Sequence, residues 1–82
     1  MNPRKRAALL AQDFFIWIAR DYPHLLFSYG QVRFLTSLFE KFEREIVYAG
    51  ARRILALNPH VSANVFVAMM PAHVGAVASG AK

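Results

Sequence analysis

Side chains able to do chemistry are few in this chain of 82 residues, and they are scattered. The histidines are His24, His60 and His73, the carboxylates are Asp13, Asp21, Glu40, Glu43 and Glu45, and there is no cysteine. A zinc or iron site needs several nitrogen, sulfur or oxygen donors converging on one ion, and helical sites carry donors three or four residues apart. No two histidines have that spacing, and His60 and His73 stand on opposite sides of Pro71. His73 has small neighbours that leave room for a porphyrin, but a histidine among alanines and valines reads as a hydrogen-bonded structural residue. Glu40, Glu43 and Glu45 crowd one segment. There they read as charged helix surface rather than as an acid–base pair, which needs environments that push two pKa values apart. Ser28, Ser37, Ser62 and Ser79 have no nucleophile elbow around them, and no glycine-rich phosphate loop is present. The sequence therefore predicts no catalytic residue, no metal site and no cofactor.

The basic residues support a different chemistry, attraction to anions. Ten Lys and Arg against five Asp and Glu give a net charge of +5. Arg4, Lys5, Arg6, Arg33, Lys41, Arg44, Arg52 and Arg53 are candidate contacts to phosphate or to an anionic membrane surface. Phe34 and Tyr48 are expected on the charged face of the second helix, beside Lys41, Arg44 and Arg52, where exposed aromatics could stack on bases. Three glutamates dilute that positive field. The chain also lacks the spacing of a helix-turn-helix, a ribbon or a zinc finger. Binding of nucleic acid is thus the alternative function, not the leading one.

These residues must be positioned by helices. Asn2 is a natural N-cap, Pro3 suits the first helical position, and Pro23 ends the first helix. Ala7, Leu10, Ala11, Phe14, Trp17 and Ile18 share one face. Leu9 and Ile16 fall nearly opposite, so this helix is expected to be sandwiched between neighbours. A second, longer helix is expected from Ser28 or Tyr29 to Asn58-Pro59. Its Val32, Leu35, Phe39, Phe42, Ile46 and Ala49 alternate spacings of three and four residues, the pattern of a heptad seam. Arg33, Ser37, Glu40, Lys41 and Arg44 lie opposite, and Glu40–Arg44 and Lys41–Glu45 are expected to pair along the helix. The seam then fails, because Arg53 and Ala56 come next and Gly50 weakens a helix by about 1 kcal/mol relative to alanine. A hairpin with the first helix, or a short bundle seam, is therefore expected, rather than a continuous coiled coil.

The last third has another character. From Ile54 through Ala81 there is no Asp, Glu, Lys or Arg. A helix capped by Ser62 would put Val67, Met70, Val74 and Val77 on one side. Ala68, Ala72, Gly75 and Ser79 would lie on the other, and small residues at this spacing let two helix backbones approach closely. Pro71 is expected to bend or divide this helix, leaving a short helix to Met70 and an extended tail as the other reading. A membrane span needs about 20 apolar residues. Val61–Ser79 is nearly long enough but only weakly apolar, so packing against protein is the expectation.

Composition adds a constraint on partners. So short a chain buries only about 60–65% of its unfolded surface, yet 56% of its residues are hydrophobic and 13% aromatic. Without cysteine there is no disulfide to compensate, and surplus apolar surface is buried against another copy, a partner or lipid. Gln12, Asp13 and Arg20 interrupt the stretch that a signal peptide would need, so a cytoplasmic or membrane-associated location is expected. No internal repeat is visible. The sequence predicts one all-α domain: residues 1–60 as a helical hairpin with a basic N-terminus, and residues 61–82 as an apolar association helix or tail. The leading function is a non-enzymatic structural or assembly subunit. It would bind itself or other subunits of a larger assembly, with an anionic membrane surface as a further candidate partner.

Overall fold

The structure, a computed structural model, describes residues 1–80; Ala81 and Lys82, the end of the expected association segment, lie outside the described residues. It is all-α, and the described residues form four helices: α1 Pro3–Asp21, α2 Tyr29–Lys41, α3 Arg44–Leu57 and α4 Ala63–Ala78. Local chemistry explains most boundaries. The Asn2 side chain accepts a hydrogen bond from the Lys5 amide at 2.8 Å, which satisfies one of the first free donors of α1. Ser28 and Gln31 form a reciprocal capping box at the start of α2. Ser62 Oγ accepts from the Val65 amide at 3.3 Å to start α4. Tyr22 and Asn58, each followed by proline, leave the helical region and end α1 and α3.

The long second helix expected from the heptad seam is two helices. Phe42 and Glu43 are extended (φ −128°, ψ 153° and φ −66°, ψ 153°). Two extended residues rotate the chain beyond them, so α3 presents Val47, Ala51, Ile54 and Leu55 to the core and not the continuation of the seam. Leu35 and Phe39 of the seam are buried, while Val32, Phe42, Ile46 and Ala49 are half-buried. The expected ion pairs Glu40–Arg44 and Lys41–Glu45 do not form. Each would have to span the break, where an i,i+4 pair no longer shares one helix face.

Helix α1 packs along α2, and α3 along α4, so the fold is two helical hairpins. Aromatic side chains join them. Phe14 meets Phe39 of α2 at 5.6 Å and Tyr48 of α3 at 5.3 Å between ring centroids, both edge to face. Phe27, in the α1–α2 connection, lies 5.9 Å from Phe66 of α4. Such contacts contribute about 0.5–1.5 kcal/mol each beyond the burial of their area. A side-chain bond from Gln31 Nε2 to Asn64 Oδ1 (2.7 Å) links α2 to α4.

Within the second hairpin, α3 and α4 come into close backbone approach at Gly50. A Cβ there would fall 2.6 Å from Val74 Cγ2 and 3.0 Å from the Val74 backbone nitrogen. Helix α4 continues through Pro71, whose ring faces solvent, so the reading of a short helix and an extended tail is not realised. Phe66 and Met70 before the proline and Val74 after it are fully buried, and they hold both halves of α4 on the core despite the missing amide. No described helix is long and apolar enough to cross a membrane.

Candidate functional site

Chemistry-bearing side chains collect in three places on the surface of the described residues. The first is the outer surface of α1 to α3. Arg4, Lys5, Arg6, Arg33, Lys41, Arg44 and Arg52 are exposed and Arg53 is half-buried. Among the described residues the one ion pair is Arg20–Asp21, at 3.0 Å, so none of these eight cations is neutralised by a described carboxylate. The guanidinium of Arg20 holds the Asp21 carboxyl below the ordinary aspartate value through its hydrogen bond. Arg4 and Arg33 line one open cleft of about 250 Å³ together with Val32, Thr36, Ser37 and Glu40.

The expected pair of exposed aromatics is only half there. Phe34 is 39% exposed, but Tyr48 is 9% exposed and packs against Phe14, Phe39 and Trp17. The break at Phe42–Glu43 turned Tyr48 from the charged face into the core. Burial pushes its phenol above the ordinary tyrosine value, and the Arg44 guanidinium, 4.7 Å from the ring centroid, partly opposes that shift.

The second place is the outside of α4. Val65, Ala68, Ala72 and Ser79 are exposed and Gly75 is half-exposed. A Cβ on Gly75 would meet nothing within 4 Å. The bulky stripe lies inward, with Met70 and Val74 buried and Val67 and Val77 half-buried. This outer face is uncharged and no other described part of the chain covers it. The second apolar face of α1 is also uncovered, with Leu9 53% and Ile16 59% exposed.

The third place was not anticipated. His24 Nε2 lies 3.2 Å from the Val61 carbonyl oxygen, and the His24 and His60 rings stand 6.3 Å apart between centroids. Tyr22-Pro23-His24-Leu25 and Asn58-Pro59-His60-Val61 form matching turns. Each is closed by a backbone bond (Leu25 N to Tyr22 O, 2.9 Å; Val61 N to Asn58 O, 3.2 Å), and each ends on a buried apolar anchor, Leu25 or Val61. Helical spacing cannot reveal this pair, because the residues lie in loops. The twice-used Pro-His dipeptide, each time after a helix, was the signal that could have found it. His73 is half-buried, and its Nδ1 is buried without a hydrogen-bond partner, contrary to the bonded role expected for it. No group of three or more His, Cys, Asp or Glu able to hold a metal ion occurs among the described residues.

Comparison with protein-family models, with curated proteins and with solved structures finds no match to this chain.

Proposed function

We propose that the protein is a non-enzymatic assembly subunit whose α4 docks, through its small outer face, against a helix of a second copy. The observation that carries this reading is the placement of Ala68, Ala72, Gly75 and Ser79 on an uncharged outer surface that the described chain leaves bare. Small side chains contribute little hydrophobic energy, so a continuous stripe of them is useful where another backbone must come close. Among the described residues positive charge is confined to α1 to α3, so repulsion between like-charged copies does not fall on this face. Sedimentation of the full chain should show concentration-dependent association. Ala72→Leu and Gly75→Val should abolish it by overpacking the contact while circular dichroism remains helical. A parent chain that stays monomeric, or variants that associate like the parent, overturns the proposal.

A second reading, binding of nucleic acid, draws support from Arg4 and Arg33 lining one open cleft and from cations unpaired with described carboxylates. It loses the aromatic platform, because Tyr48 is buried. Its mark is an affinity that falls with salt at a log–log slope near −0.9 per phosphate neutralised on B-DNA. Absence of binding at low salt eliminates it.

A further inference from the structure

We infer that His24 and His60 form a two-histidine site for a divalent transition-metal ion that prefers imidazole, of the Cu²⁺, Ni²⁺ and Zn²⁺ class, and that the bound ion clasps the two hairpins together. The tautomer of His24 is the first support. A carbonyl oxygen only accepts hydrogen bonds, so the contact of His24 Nε2 with the Val61 oxygen places the ring hydrogen on Nε2. The neutral ring then carries its lone pair on Nδ1, the atom free to bind a metal. Metal-ligating histidines commonly donate their other ring hydrogen to a backbone carbonyl, which fixes ring orientation and raises ligand basicity. His24 has that arrangement before any metal arrives.

Distance is the second support. With metal–nitrogen bonds near 2.0–2.1 Å, two imidazole centroids sharing one ion lie roughly 5 Å apart at a tetrahedral angle and a little over 6 Å apart when opposed. The observed separation is 6.3 Å. His60 is exposed, so its ring can rotate to close the angle while His24 stays on the Val61 oxygen, and water can complete the coordination. Their backbones are held by the two Pro-His turns and by the buried anchors Leu25 and Val61. Asn58 Oδ1 accepts from the His60 amide at 3.0 Å and further fixes the second turn. His24 precedes α2 and His60 precedes α4, so an ion on both rings adds a cross-link between hairpins that otherwise meet through side chains.

The test uses the full chain without any histidine tag and the metal ions alone. Calorimetric titration at pH 7.5 should give one ion per chain. Affinities should follow the general order for nitrogen sites, with Cu²⁺ tightest. Ions that bind the folded chain should raise its melting temperature, by roughly 10–20 °C at a hundredfold excess over the dissociation constant. Binding should weaken as pH falls, because protons compete for the imidazoles. His60→Ala should reduce affinity by at least about tenfold, since losing a ligand exceeds the 10–100-fold effect of losing an outer partner. His24→Ala also removes the contact with Val61, so His24→Gln is the cleaner variant: its amide can still donate to that oxygen but offers no imidazole. His73→Ala should bind like the parent. The inference is overturned by no saturable binding, by His60→Ala or His24→Gln binding as tightly as the parent, or by one ion per two chains, which would place the site between copies.

Discussion

Replacing Gly50 by alanine should destabilise this protein, although alanine is the better helix former. The intrinsic gain is about 1 kcal/mol in favour of alanine within a helix. Against it stands the crossing of α3 and α4. The new methyl would sit 2.6 Å from Val74 Cγ2, 3.0 Å from Val74 N and 3.1 Å from Val74 Cα. Rotation of the valine side chain relieves only the first contact. The other two involve backbone atoms inside α4, and ordinary contact begins near 3.4 Å. The helices must therefore part by about half an ångström, and a gap of 0.5–1 Å forfeits a quarter to a half of the dispersion well for each atom pair along the seam. Overpacking costs about 1–3 kcal/mol; two backbone contacts put this site in the upper half of that range, from which the helix gain of about 1 kcal/mol is subtracted. The expected net loss is about 1–2 kcal/mol, or a fall in melting temperature of about 4–16 °C at 4–8 °C per kcal/mol for a domain of this size. Gly75→Ala is the internal control. Its methyl meets nothing within 4 Å, so the monomer should gain about 0.5–1 kcal/mol. Thermal unfolding by circular dichroism, at concentrations where both variants are monomeric, reads the two shifts. If Gly50→Ala melts at or above the parent temperature, the close crossing of α3 on α4 is wrong and glycine is there for another reason.

Phe14 is fully buried at the meeting point of α1, α2 and α3, so Phe14→Ala should cost about 3–5 kcal/mol in urea unfolding, and a loss below 1 kcal/mol would mean the aromatic cluster is not formed. Phe42, half-buried at the joint, should cost distinctly less as Phe42→Ala. Tyr48 has a folded-state pKa raised by burial. The stability tied to its neutral form is therefore complete below the unfolded tyrosine value near 10 and is lost as pH rises through the folded value. Above pH 10, Tyr48→Phe should lose stability less steeply than the parent, and parallel curves of urea midpoint against pH would show that this phenol does not contribute.

Much of the fold is legible in the sequence because its signals are local. Asn2, Pro3, Ser28 and Ser62 start helices, and Pro23 and Pro59 stop them, through bonds made or denied within a few residues. The stop between Lys41 and Arg44 has no such signal. Neither Pro nor Gly marks it, and Glu43 occupies the cap position without a side-chain bond. That break is set by tertiary packing, as α3 turns Val47, Ala51 and Ile54 inward. The heptad spacing runs unbroken across it, from Phe39 through Phe42 to Ile46, so the pattern carries no trace of the break. The same turn accounts for Tyr48, whose position on a continuous helix implied exposure. The small face of α4 was legible as a pattern, because its periodicity belongs to one helix. The meeting of His24 with His60 was not, since it depends on how two loops come together.

The joint at Phe42–Glu43 also sets an order of events. Each helix pairs mainly with its neighbour in the chain, so most early contacts close short loops, and structures dominated by local contacts reach the native state quickly. The two hairpins can zip separately, and the wedge of Phe14, Tyr48, Phe27 and Phe66 closes afterwards, when the halves swing together about two extended residues. Opening should run in reverse. Amides at the ends of the helices nearest the joint should exchange with solvent before those around Ala11 and Ala51, which lie near the middles of α1 and α3 and are buried.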